Sequence, residues 1–151
     1  MGNICRSPLA EGVFRHKAAA AGLADRFEIA SAGTGHWHVG SPPDPRVRQT
    51  ARARGVSLDA QRARQLERAH LAHYDLVLAM DKGNLHDALY LDPEGDHGRR
   101  VRLFREFDPE PGDYQVPDPY YGGPDGFEHV YEMVDRTAEA LLAALREGYG
   151  I

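Results

Sequence analysis

Apolar positions along this chain follow two different periods. Leu9 and Val13, with Ala10, Phe14 and Ala18, recur at i, i+4 spacing to about Ala21, and Gly22 follows. This predicts a helix starting at Ser7-Pro8, where a hydroxyl serves as a cap and the missing proline N–H does no harm. Phe27 to Gly33 (FEIASAG) alternates with the period of a strand and ends on glycine. Tyr74 to Met80 (YDLVLAM) is a near-continuous apolar run, the pattern of a strand covered on both faces in a parallel sheet. Further helices are predicted over Asp44 to Arg54 and over Asp81 to Leu91, the latter beginning at a capping Asp81, with a short strand at Val101 to Phe104. The stretch EFDPEPGDYQVPDPYYGGPDG holds five prolines and four glycines and reads as loop. Val130, Val134, Leu141 and Leu145, flanked by Met133 and Leu142, predict a long amphipathic C-terminal helix. Apolar runs alternating with helical patterns, and no repeat, point to the α/β class.

Composition narrows the function more than the fold. The 151 residues suit one domain whose core needs no disulfide or metal staple. No apolar run approaches the ~18 residues of a membrane span. No signal peptide is visible, and one cysteine makes no internal disulfide, so a cytoplasmic location is expected. The formal net charge of -5 argues against duplex binding, whose affinity comes largely from Lys and Arg on phosphates. His36 and His38, on either side of Trp37, lack a third ligand at useful spacing, and neither a metal nor a cofactor is expected. The arginines between Arg46 and Arg68 read as a solvated face rather than a nucleic-acid patch.

The chain opens MGNICRSPLAEG. A glycine-containing turn feeding a helix N-terminus collects unpaired backbone N–H groups and the positive end of the helix dipole at one point, which favours an anion. The nucleotide-binding versions of such a turn do not fit: there is no GxxxxGK[ST], and the glycines of AGTGHWHVG do not form a GxGxxG after a strand.

GNICRSP resembles the phosphate-binding loop of the low-molecular-weight protein tyrosine phosphatases, whose motif reads C-x-G-N-x-C-R-S. SAGTGHWHVG, the DPR at Asp44 to Arg46, LAMDKGNL (Leu78 to Leu85) and VPDPYYGG (Val116 to Gly123) follow in that family's order, so the resemblance covers essentially the whole chain. It implies a three-layer α/β/α fold, a parallel sheet with helices on both faces and the active site at the strand C-termini. It also implies hydrolysis of phosphotyrosine on proteins, or of small aryl phosphates, through a phosphocysteine intermediate. Catalysis would fall to Arg6, whose planar fork suits two equatorial phosphate oxygens, and to Asp118, which would protonate the leaving phenolate and then activate water. The loop residues Gly2, Asn3, Ile4, Cys5, Arg6 and Ser7 would bind the phosphate, Ser7 assisting the thiolate and Asn3 bracing the loop. Trp37 and Tyr120 would wall a cleft for a phenyl ring, and Pro119 would stiffen the turn that presents Asp118. Asp81 and Asn84 read first as a helix cap and second as a brace for the site. Gln61 stands where many relatives carry a histidine that supports the loop asparagine.

One departure matters. Five residues before Arg6 lies one position ahead of Met1, so the family's nucleophile is not in this sequence, and neither is the family's first strand, which lies in the middle of the sheet. Cys5 is adjacent to Arg6 and reads as a small, semi-buried residue. Burying that strand's side chains at roughly 1.5–3 kcal/mol each would be worth about 10 kcal/mol, comparable to a domain's whole net stability. Met1 is therefore expected to be an internal methionine of a longer polypeptide, with a real truncation that binds anions without turnover as the other account. A non-catalytic binder of phosphorylated partners is the rival from another class. Arsenate reduction on the same fold is disfavoured because no cysteine follows Cys5. Whether a partner chain, as in a homodimer, fills the gap in the sheet is left open.

Overall fold

The computed structural model describes residues 4–119 and 124–151. Helix α1 (Arg6–Ala20) is followed by α2 (Pro45–Arg52), α3 (Arg68–His73), strand β1 (Val77–Ala79), α4 (Lys82–Tyr90), strand β2 (Val101–Leu103) and α5 (Pro124–Tyr149). The two strands run parallel, Val77 opposite Val101, Leu78 opposite Arg102 and Ala79 opposite Leu103. A parallel pair needs a crossover between its members, and α4 supplies it.

Helices lie against both faces of this pair because the side chains of β1 alternate. Leu76 and Leu78 pack into a large cluster with Leu9, Val13 and Phe14 of α1, Val47 of α2, and Val130, Val134 and Leu141 of α5. Val77 points the other way and joins Leu71 of α3, Leu85 and Ala88 of α4 and Val101. This is the α/β, three-layer arrangement the resemblance implies. Thr137, fully buried on α5, satisfies its hydroxyl by donating to the Met133 carbonyl at 2.7 Å. Gly12 lets α1 come close to the loop after α2: a Cβ there would run into the Leu58 side chain.

The expected helices are present with their ends shifted by a residue or two. Asp44 caps α2, accepting from the Arg46 N–H at 2.8 Å, and Asp81 caps α4, accepting from the Asn84 N–H at 2.7 Å. Of the strand expected over Tyr74 to Met80 only Val77–Ala79 is paired, and two larger points differ from the sequence reading. Phe27 to Gly33 is not a strand: only Gly33 is bridged, in parallel, to Gln65. A strand exists through a ladder, and this stretch has none among the described residues because it borders a cavity that β1 also lines, rather than lying against the edge of β1. The other is α3, which the periodicity does not announce. Six residues with Leu71 as their one buried apolar position leave too little pattern, and the helix is started by the Glu67 N–H donating to His70 Nδ1 at 2.9 Å.

Candidate anion site at the start of the first helix

Arg6 is the first residue of α1 and only 6% exposed. A buried guanidinium needs acceptors, and this one has three. Its Nη1 donates to Asp81 Oδ2 at 2.7 Å and to the Val116 carbonyl at 2.8 Å, and its Nη2 to Asn84 Oδ1 at 3.5 Å. The cap of α4 and the anchor of Arg6 are thus the same carboxylate, placed at the C-terminal end of β1. Burial pushes the Asp81 carboxyl up, but the Asn84 N–H and the Arg6 guanidinium outweigh it and hold the group below its ordinary value. The expectation that Asp81 and Asn84 cap first and brace the site second describes both contacts.

Asp118 reaches the same place through its neighbour. The Val116 N–H donates to the Met80 carbonyl at 2.8 Å while the Val116 carbonyl accepts from Arg6, so β1 and the guanidinium together seat the segment two residues before Asp118. Asp118 is exposed and lines the same cavity as Cys5, Arg6, Ser7 and Trp37. Arg6 and Asp118 thus line one cavity although 112 positions separate them in sequence, 118 − 6.

The approach to α1 is pinned from its other side. The Asp44 N–H donates to the Ile4 carbonyl at 2.7 Å, and the Asp44 carboxylate takes the Arg46 guanidinium at 3.1 and 2.9 Å. Gln61 Nε2 donates to the Pro8 carbonyl at 3.0 Å in the first turn of α1, while Asn3, the residue it was expected to support, lies outside the described residues. Gln61 Oε1 is buried and has no partner among the described residues. Cys5 is 5% exposed; burial, reinforced by the negative charges of Asp44 and Asp118, pushes its thiol up to about 12. A neutral, enclosed thiol is no nucleophile, in line with the plain packing role read for it.

Trp37 is 59% exposed at the cavity mouth, its ring folded over Gly35, where a Cβ would collide with the indole. Gly2 and Asn3 of the opening loop, and Tyr120, lie outside the described residues.

Sequence reasoning missed what holds the segment leading to Asp118. Arg105, buried, donates through Nε to Asp108 Oδ2 at 3.0 Å, through Nη1 to the Gln115 carbonyl at 2.6 Å and through Nη2 to the Glu110 carbonyl at 2.8 Å. Arg136 of α5 closes the network with bonds of 2.7 and 3.0 Å to the two Asp108 oxygens. These residues stand inside a proline-rich loop and on a helix face, and nothing in their spacing marks them as partners.

Residues 1–149 match the family model of low molecular weight phosphotyrosine protein phosphatases. A low molecular weight protein-tyrosine-phosphatase of Streptomyces coelicolor is 48% identical over 148 residues, 97% of this chain and 90% of that protein. The crystal structure of YfkJ from Bacillus subtilis is similar with a TM-score of 0.92 at 34% identity, covering 98% of this chain and 91% of that one. A protein tyrosine phosphatase from Entamoeba histolytica, with Hepes in its active site, gives a TM-score of 0.93 at 33% identity, covering 99% of this chain and 94% of that one. The chain belongs to the low molecular weight phosphotyrosine protein phosphatase family.

Proposed function

We propose that this protein hydrolyses phosphotyrosine on proteins, or small aryl phosphate monoesters, through a phosphocysteine intermediate whose sulfur lies one residue ahead of Met1. The observation that carries the reading is the buried Arg6 guanidinium, held by Asp81 and by the Val116 carbonyl in the same cavity that Asp118 lines. The amides from Gly2 to Ser7 and the Arg6 fork receive the phosphate oxygens, and Cys5, the N-cap, contributes no side-chain bond to the first amides of α1. The thiolate attacks phosphorus as Asp118 gives its proton to the departing phenolate; Asp118, now a carboxylate, takes a proton from the water that cleaves the S–P bond. Ser7 donates to the thiolate, Asn3 keeps the loop in shape, and Trp37 and Tyr120 flank the phenyl ring. The expected setting is the cytoplasm and the partner a phosphotyrosine-containing protein.

Two measurements test this. Inorganic phosphate titrated into the 151-residue chain should shift the backbone resonances of Arg6 and Ser7 saturably; no shift there overturns the site. Turnover of p-nitrophenyl phosphate should be absent from the 151-residue chain and present once it is extended by its upstream codons and the cysteine they encode. Equal turnover by both would refute the role assigned to that sulfur. The neutral state of Cys5 favours a second reading for the chain starting at Met1, a phosphate-binding protein without turnover; saturable binding with no hydrolysis by either form would establish it.

A further inference from the structure

Asp118 is exposed at the end of a stretch, residues 108–118, that forms no helix or strand. A side chain so placed is aimed only if something else fixes the backbone before it. Here that group is a buried guanidinium. Arg105, 5% exposed, has the loop wound around it: Nη2 takes the Glu110 carbonyl and Nη1 the Gln115 carbonyl, so both ends of the 110–115 turn point inward at one planar fork. Nε is committed to Asp108, which Arg136 holds in turn, and the centre of the loop is thereby fixed to α5.

Three further bonds pin the residues at the end of that turn. Gln115 Oε1 accepts from the Lys82 N–H at 3.0 Å, at the start of α4. The Val116 N–H goes to the Met80 carbonyl, and the Val116 carbonyl accepts from Arg6. From there the sequence Val116-Pro117-Asp118-Pro119 leaves the chain little freedom. Each proline locks its own φ at about −65° and keeps the residue before it out of helical backbone. A displacement of the 115–116 peptide is therefore passed on to the Asp118 carboxyl rather than absorbed on the way.

This is not the simplest way to fill a loop. A buried guanidinium loses its hydration, and apolar side chains of similar size pack as well or better. Tyr114, next to Gln115, sits at φ 64°, in the left-handed region that a residue with a side chain enters only under constraint. What the fork supplies and an apolar filling does not is direction, two carbonyls held at a set distance and angle.

We propose that Arg105 is a positioning residue for Asp118: by holding the Gln115 carbonyl it sets the reach of the Asp118 carboxyl toward an ester oxygen of a phosphate seated at Arg6. This role rests on the proposed hydrolysis with Asp118 as proton donor, and it acts on that donation while leaving phosphate binding to Arg6.

Two variants separate proton donation from folding and from phosphate binding. Arg105→Lys keeps a cation beside Asp108, but its single nitrogen does not serve the two carbonyls as well. Arg105→Met removes all three bonds and leaves Asp108 to Arg136. In the 151-residue chain both should let the Val116 amide exchange at least about tenfold faster, while inorganic phosphate still shifts Arg6 and Ser7. In the extended chain, phenyl phosphate, whose phenolate is about as basic as that of tyrosine with its pKa of about 10, should lose about ten- to a hundredfold in kcat/KM. p-Nitrophenyl phosphate releases a much weaker base and should lose less than about threefold. In an Asp118→Asn background the same substitutions should cost phenyl phosphate less than about threefold, because the group they position is already gone. Equal losses on the two substrates, an undiminished loss in the Asp118→Asn background, an unchanged Val116 exchange rate, or loss of the folded state in both variants each overturns the role of Arg105 while the hydrolysis stands. No turnover by the unsubstituted extended chain overturns the hydrolysis and this role with it.

Discussion

Cys5 and Arg6 are neighbours in one loop and both are buried, yet their surroundings treat them oppositely. Arg6 is met by a carboxylate and a carbonyl, while Cys5 faces burial together with Asp44 and Asp118. With its thiol near 12, Cys5 should react with iodoacetamide at pH 8 at least ~100-fold more slowly than a free cysteine. A rate equal to that of free cysteine would contradict the geometry. Arg6→Lys keeps the charge and loses the fork, so phosphate affinity should fall by about ten- to a hundredfold in a calorimetric titration. Arg6→Ala also leaves Asp81 without its cation and should cost about 3–5 kcal/mol in urea unfolding. The proposed role of Arg6 as an anion ligand rests on GNICRSP; its acceptors were not legible there, because nothing local points 75 and 110 residues downstream.

The segment that carries Asp118 is irregular by composition and fixed in place by side chains. Its proline content announces a loop, but a loop placed by Arg105, Asp108 and Arg136 is a different object from a free one. Burial pushes the Asp108 carboxyl up, but the Arg136 guanidinium, the Glu110 N–H and the Arg105 guanidinium outweigh it and hold it well below its ordinary value. The native state thus takes up this proton at lower pH than the unfolded chain does. The stabilisation is complete above the unfolded value of about 4 and is lost as pH falls below it. Urea unfolding between pH 7 and pH 3 should show this acid loss, and Asp108→Asn should be less stable at pH 7 by about 3–5 kcal/mol and flatter with pH. An unchanged acid limb in that variant would assign the loss to other carboxylates. Gly12 acts at the same scale. Gly12→Val should cost about 1–3 kcal/mol by driving α1 off Leu58, read by thermal unfolding.

Two apolar clusters on opposite faces of β1 hold the molecule together, and the proposed anion site sits where the strand's C-terminal end meets the start of α1. Binding there is linked to global stability: phosphate at a hundredfold excess over its Kd should raise the thermal midpoint by about 5–10 °C, and should fail to do so in Arg6→Ala. Leu9→Ala, at a fully buried position of α1, should cost about 2–5 kcal/mol without changing phosphate affinity. Sequence by itself determined the α/β class, the starts of α1, α2 and α4, the site of β1 and the candidate anion loop. Each of these follows from local chemistry: a cap, a period, a turn, a backbone that must approach an anion. Tertiary structure alone decided that Phe27 to Gly33 lies outside the ladder, that Asp81 and Val116 grip Arg6, and that Arg136 holds Asp108. Those outcomes depend on whether a distant edge or a distant charge is present to be paired, and pairing across the fold leaves no period in the sequence.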